Sequence, residues 1–508
     1  MRQSHSGKHL NFYYLQIIKS ILICFGLLLF AKEAYTQEDS SQVISGRVLS
    51  ASSKQALAYA SIYILNSETG AISNENGFFS LNSEGLKAKD TVSFKYLGFK
   101  EYRISVDDLY SQPNIFLQEK VNTLSELYVF GEPPNPKDII KKVLEKVEDN
   151  YASIAMKAEV FVRERNNQHF KELKIDYKRS SISEINQDLL KKIETKLPRH
   201  LTWYTDFLGT AYSLDKDEMT ALKMQPKKVV SLEEQDFTES EKIEEIFVDL
   251  AKNTKDKEYW KLKTEILSTK IQLSTDSSSE KAEEGERKLT YYTDKLSSSL
   301  KFKNFQNEDD WEFLHSPGKY RYTLVGGSSY NNESVYIIDF EAKSGGLYSG
   351  RAYISSESYA LVRADYKYAP GKLGTDFHLL GVGYSKNGFK ASISFEKIGK
   401  HYFLKYMSKE RGLAYSFDRK LSLLKKRERF LFDKELAEIK TKLNISVTEH
   451  NSIEYLVMNQ KKISEANFDK FEQAEFMKVI YVDQFDDKLW RGFTIIPPTK
   501  QMKEYKKE

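Results

Sequence analysis

Val43-Ile-Ser-Gly-Arg-Val-Leu49, Ala58-Tyr-Ala-Ser-Ile-Tyr-Ile-Leu65, Gly77-Phe-Phe-Ser-Leu81, Thr91-Val-Ser-Phe-Lys-Tyr96 and Tyr102-Arg-Ile-Ser-Val106 follow one another as short, turn-bounded runs. They are rich in β-branched and aromatic residues, which favour a pleated, half-buried surface. Asn74-Glu-Asn-Gly77 supplies the side-chain acceptor and the left-handed glycine of a tight turn. Strands this short at this spacing predict a small β-sandwich over residues 42–120.

The pattern changes on either side. Gly131-Glu-Pro-Pro-Asn-Pro136 holds three of the ten prolines, the composition of a stiff linker. It leads into Asp138–Asp149, where Ile139, Ile140, Val143, Leu144 and Val147 fall on one helical face behind a cap-like Asn135 and Pro136. Residues 131–156 therefore read as a proline-rich linker and an amphipathic docking helix. Residues 157–300 mix possible strands, such as Ala158–Arg163, with charge. Within them a helix is expected over roughly 239–270, and Ser274–Glu286 reads as an exposed loop or a partner-binding insertion.

Over residues 301–499 the two-residue period returns. Tyr320–Val325, Val335–Phe340, Ser349–Ile354, Ala360–Tyr366, Phe389–Phe395 and Tyr402–Tyr406 predict sequential hairpins in one large, curved antiparallel sheet. Residues 500–508 form a charged tail. The fold class is mainly β, of the α+β kind. Such strands read as a water-soluble sheet rather than a membrane barrel. They are mostly five to seven residues long and carry charge on both faces, whereas barrel strands need about 9–11 residues with an apolar outer face.

Val43–Leu49, Ala56–Ile64, Ser73–Leu81 and Val92-Ser-Phe-Lys-Tyr-Leu-Gly-Phe99 match, in order and spacing, the carboxypeptidase-regulatory-like domain, and residues 42–120 resemble that family. The resemblance implies a prealbumin-like β-sandwich without catalytic residues of its own, found in exported proteins of Gram-negative bacteria. Tyr336–Phe340, Gly346–Ile354 and Tyr359–Arg363 resemble the strands of half-barrel envelope proteins of the lipoprotein-carrier type. Asp487–Thr499 resembles the usual ending of exported proteins that carry the regulatory-like module.

At the other end, Arg2 and Lys8 precede the apolar Ile21–Ala31, and polar Lys32, Glu33, Thr36 and Gln37 follow. These are the parts of a signal peptide over residues 1–37, and the core is too short to span a bilayer, which takes about 20 apolar residues. An uncleaved anchor is the alternative. Lipidation of Cys24 is disfavoured because Ile23 precedes it. Cleavage near Gln37 removes the single cysteine, so the mature chain would have no disulfide. The 77 basic and 73 acidic residues nearly cancel and leave no footprint for nucleic acid.

The chemistry-bearing residues are scattered. His169, His200, His315, His378, His401 and His450 contain no pair at the spacing of a zinc-protease helix. His169-Phe-Lys-Glu172 has a metallocarboxypeptidase ligand spacing, but one such tetrad arises easily by chance, and a surface histidine is the plainer reading. Gly326-Gly-Ser-Ser329 and Ser349-Gly350 read as turns, and Gly381-Val-Gly383 lacks the third glycine of a dinucleotide loop. Asp309-Asp310-Trp311 offers a carboxylate pair beside an aromatic, as a glycosidase would use, or simply a loop leading into a strand. Arg419–Arg429 is the densest basic cluster; it could meet acidic lipid head groups, but Asp433, Glu435 and Glu438 favour a solvated mixed-charge helix face.

Catalytic, cofactor-binding and metal-binding residues are accordingly expected to be none, and no cofactor is expected. The sequence points to a non-enzymatic binding or scaffolding protein of the cell envelope, periplasmic or associated peripherally with the outer membrane. Its partner would be an envelope protein or an apolar or polymeric ligand. An envelope hydrolase acting on glycan or peptide, and an accessory component of an outer-membrane transport system, are the alternatives.

Overall fold

The computed structural model describes residues 43–65, 70–120, 134–216, 219–232, 246–265, 267–271, 273, 285–330 and 333–505. The signal segment with Cys24, the linker as far as residue 133 and the charged loop at 274–284 lie outside the described residues.

Seven short strands build the first unit: β1 (Val43–Ser50), β2 (Ser61–Ile64), β3 (Gly70–Ile72), β4 (Phe78–Asn82), β5 (Thr91–Lys95), β6 (Tyr102–Ser105) and β7 (Asn114–Leu117). They form two sheets, β4–β1–β7 and β3–β2–β5–β6. Alternate residues point inward, so Val48, Ile62, Phe79, Leu81, Val92 and Phe94 share one core while Phe78 faces out. The Asn74 carboxamide oxygen accepts from the Asn76 and Phe78 amides, and Gly77 takes the left-handed conformation (φ +76°). The turn read from the sequence is the turn formed.

Asn135 caps the next helix, Pro136–Glu145, by accepting from the Lys137 amide, and Ile139, Ile140 and Val143 are buried. This helix docks on a large sheet built from β8 (Met156–Ser180), β9 (His200–Lys216), β10 (Met219–Leu232), β11 (Glu258–Thr264), β12 (Ser268–Ile271), β14 (Tyr320–Tyr330), β15 (Glu333–Ala342), β16 (Tyr348–Ser355), β17 (Leu361–Tyr368), β18 (Asp376–Leu379), β19 (Val382–Ile398), β20 (His401–Arg427), β21 (Lys434–Lys462) and β23 (Ile480–Val482). A separate two-stranded ribbon pairs β13 (Glu286–Lys288) with β22 (Phe476–Lys478). The main path runs β14–β15–β16–β17–β19–β20–β21–β8–β9–β10–β23 and does not close, since its end strands do not pair with each other. Neighbours are antiparallel except β10 and β23, so the sheet is mixed at one edge. Strands on both sides of residue 300 belong to it.

Several expectations change here. Strands of five to seven residues were expected, yet β8, β20 and β21 run 25, 27 and 29 residues. Their pairing continues through bulges, as at Ser446/Val447, so charged residues that look like strand ends are carried within the ladder. The helix expected over 239–270 is helical only at 246–252 among the described residues. Beyond it, Trp260 and Leu262 alternate toward an apolar cluster with Leu423 and Ile439, and period 2 prevails as β11. Arg419–Arg429 is the end of β20 and the turn after it, not a helix, because β11 and β21 supply ladder bonds on both of its edges. Gly326 and Gly327 lie within β14 at a bulge. Ser349 and Gly350 lie within β16, where a Cβ on Gly350 would sit 2.2 Å from the Asp365 carbonyl oxygen. Gly326-Gly327 and Gly350 thus serve strand irregularity or close backbone approach rather than turns.

The middle of the sheet is covered on both sides. Val160, Val162, Phe207, Tyr455 and Val457 face a core filled by Ile140, Leu296, Phe302, Phe305, Trp311 and Phe313. The intervening Phe161, Leu208 and Leu456 face the other way, toward Tyr59 and Ile72 of the sandwich and Trp490, Ile495 and Ile496 of the C-terminal segment. No helix among the described residues is long and apolar enough to cross a membrane.

Candidate functional site

The sandwich is fastened to the sheet by polar groups shut away from water. Tyr59, held at φ +64°, lays its ring 4.5 Å from that of Tyr406, and its hydroxyl lies 3.4 Å from Ser408 Oγ. Burial pushes the Tyr59 phenol far above its ordinary range. On β17, Arg363 makes a two-pronged pair with Asp365 (2.7 and 3.0 Å) and extends Nη2 to the Tyr96 hydroxyl (3.2 Å) and the Ala58 carbonyl (3.4 Å). Its guanidinium also lies 4.7 Å from the centre of the Tyr96 ring. A buried guanidinium needs this many acceptors to offset its lost hydration.

A second fastening passes through the C-terminal segment. Arg163 and Asp206 form a fully buried bidentate pair (2.7 and 2.6 Å), and Arg163 Nη1 also donates to the carbonyls of Ile496 and Pro497. From the sandwich, Asn74 Nδ2 donates to the carbonyls of Pro497 and Pro498, both at 3.3 Å. Residues 496–498 are thus gripped from both units.

Beside this junction, half-buried Glu454 accepts from the Tyr406 hydroxyl at 3.1 Å. Its carboxyl is pushed up to about 7, first by burial; Arg163 and Tyr406 oppose the rise, and Glu75 and Asp206 add to it. The folded chain therefore holds this proton more tightly than the unfolded chain. Its contribution to stability falls as pH rises from the ordinary carboxylate range through about 7. Glu454→Gln should flatten that fall. Urea midpoints of both proteins at about pH 5 and about pH 8 check it: the wild-type midpoint drops with pH, and the variant's drops less.

Between the two units lies a cleft of about 730 Å³. Tyr63, Gly70 and Ile72 wall it on the sandwich side, and Ser394, Lys397, Tyr402 and Met458 on the sheet side. Glu333 sits at its rim, accepting from the Ser355 hydroxyl (2.6 Å) and from Tyr402, with Lys397 Nζ at 3.5 Å. β3 is the edge strand of its sheet and pairs only with β2 among the described strands. By contrast, the helix-covered face leaves a smaller space of about 280 Å³, lined by Tyr151, Phe305 and Tyr455 together with polar Asp215 and Lys303. The open apolar concavity that a lipid carrier needs on the 320–410 strands is occupied by the chain's own Phe302, Trp311 and Phe313.

The residues weighed in the sequence are dispersed. His169 stacks on His200, ring centres 4.1 Å apart, with Nδ1 3.2 Å from the Arg199 carbonyl. Among the described residues no three His, Cys, Asp or Glu side chains are placed to hold a metal. Asp310 is tied to Lys409 at 2.7 Å, and burial pushes that ammonium down to about 8 against the pull of Asp310. Trp311 has no exposed surface to offer a sugar, and the segment enters the one-turn helix Glu312–His315 rather than a strand. The groups that do converge, Tyr59, Arg163, Arg363 and Glu454, passed unnoticed in the sequence. Each meets partners more than 30 positions away, and only Arg363, bonded also to Asp365, has a partner nearby in sequence.

Comparisons with known proteins complete the picture. No curated protein matches the chain. Solved structures that align with it include a DUF1329 family protein from Desulfovibrio piger, with 13% identity, covering 66% of this chain and 98% of that one at a TM-score of 0.19. A LolA superfamily protein from Nitrosomonas europaea aligns with 8% identity over 66% and 98% of the two chains, TM-score 0.16. A Pseudomonas aeruginosa MucA/MucB complex aligns with 7% identity over 62% and 93%, TM-score 0.17. At the front, residues 44–129 match the CarboxypepD_reg-like domain family.

Proposed function

We propose that this protein is a non-enzymatic binding or scaffolding protein of the cell envelope, and that it holds an extended polymeric ligand or partner segment in the cleft between its sandwich and its sheet. The cleft carries the reading. At about 730 Å³ it falls within the roughly 300–1,000 Å³ of ligand sites. It combines an edge strand, whose free backbone groups favour an extended chain, with charged and aromatic side chains on the opposite wall. The envelope setting is supported by the export-type head of the sequence and by the regulatory-like domain.

A photo-reactive amino acid in place of Ser394, on the cleft wall, tests the reading in cells against the same group at exposed Lys192. Adducts from position 394 alone are expected, and their mass tells polypeptide from glycan. Adducts from both positions, or from neither, would remove the cleft as the binding site.

A further inference from the structure

The end of the β20–β21 hairpin carries Phe430, Leu431 and Phe432, exposed by 101%, 78% and 86%. Single exposed apolar side chains are ordinary, but three consecutive ones at a hairpin end form a contiguous apolar patch. The turn is built rather than loose. Tyr259 donates to Asp433 at 2.6 Å, the Arg429 amide lies 3.3 Å from the same carboxylate, and the Glu428 amide donates to the Lys257 carbonyl at 2.8 Å. Lys270 pairs with Glu428 at 2.7 Å.

Charge surrounds this apolar point. Residues 425–434 hold five basic and two acidic side chains. Both acidic groups are engaged within the scaffold, by Lys270 and by Tyr259, while Asp256 and Glu435, just outside this stretch, are exposed acids that lower but do not cancel its positive charge. Lys257, Arg429 and Lys434 are exposed and have no ion-pair partner among the described residues. From Tyr406, beneath the sandwich, to Arg427, β20 runs about 70 Å at ~3.3 Å per residue. The tip therefore stands well away from the sandwich contacts at Tyr406.

We propose that the Phe430-Leu431-Phe432 tip inserts into a lipid surface bearing anionic head groups, with Lys257, Arg429 and Lys434 seated at the head-group level. Apolar side chains flanked by a net excess of basic ones match the two layers of such an interface, acyl boundary and phosphate. A protein partner would have to satisfy the same unpaired cations with its own acids, and a second copy of this tip would bring like charges together. A lipid surface needs neither adjustment. The proposal is independent of the cleft, and an absence of adducts at position 394 leaves it standing.

Flotation of the full chain tests it, with vesicles of phosphatidylcholine alone and of a ~3:1 mixture with phosphatidylglycerol. The wild type should rise with the mixed vesicles. The triple change Phe430→Ser, Leu431→Ser and Phe432→Ser should cut the bound fraction about tenfold or more, because binding scales with apolar area inserted. Arg429→Glu with Lys434→Glu should abolish the preference for anionic vesicles. The N-terminal apolar segment is common to all variants, so their differences read the tip alone. Equal flotation of wild type and triple variant, or none by the wild type, would overturn the proposal. So would a triple change that alters only the oligomeric state on sizing.

Discussion

Asp206→Ala should destabilise the folded chain by about 3–5 kcal/mol, the cost of leaving a buried partner charge uncompensated. Asp206 has no accessible surface, and Arg163 is 3% exposed. With the carboxylate gone, the guanidinium keeps only the carbonyls of Ile496 and Pro497 as strong acceptors, and half-buried Glu454 remains as a carboxylate that acts on it. Asp206→Asn keeps the shape and one acceptor and should cost distinctly less. Urea unfolding gives the difference in midpoints. Limited proteolysis of residues 490–505 reports whether the C-terminal segment loosens before the sheet does. An Asp206→Ala protein as stable as wild type would mean that the pair is replaceable by packing alone.

The second large effect is expected at Trp311. It is fully buried among Phe302, Phe305, Phe313 and Tyr366, with ring centres 4.8–5.8 Å away, and its Nε1 donates to the Phe302 carbonyl at 3.0 Å. Trp311→Ala removes a large apolar volume and orphans that carbonyl, so about 3–5 kcal/mol is the expected loss. Thermal unfolding of the variant and of the milder Trp311→Phe checks it. If Trp311 were instead a sugar-stacking surface beside Asp309 and Asp310, its removal would spare stability. The burial makes the opposite prediction.

The front sandwich was legible because its information is local. Asn74 and Gly77 form the turn that their chemistry demands, and Phe79 and Leu81 point inward as their spacing requires. Asn135 and Ile139 were readable for the same reason. Five of the six strands expected between Tyr320 and Tyr406 lie within strands of the sheet, and the sixth, Ala360–Tyr366, starts one residue before β17. Length was not readable: charged Lys420, Lys425 and Lys426 look like strand breakers, and only the neighbouring β11 and β21 reveal them as members of a ladder. The same holds for Gly350, whose reason is the Asp365 backbone. The junction was wholly hidden, since Arg163 finds its acceptors at positions 206, 496 and 497. The tip at Phe430 stood beside a basic cluster that was noticed, but reading that cluster as a helix hid the turn at its end.

The grip on residues 496–498 also bears on the expected order of folding. Asn74 belongs to a sandwich with its own core and strand pairing, complete by Leu117, yet the carbonyls that it needs lie 423 and 424 positions later. A loop of that size closes late, because its contacts reward the chain only after nearly everything between has been placed. The sandwich can therefore fold first and wait undocked, its Tyr59 facing water, while the sheet assembles. The last apolar segment, Trp490 to Met502, adds the contacts that grip both halves at once. Locking of the junction by the C-terminal segment is thus expected to be a closing step, later than the folding of the sandwich.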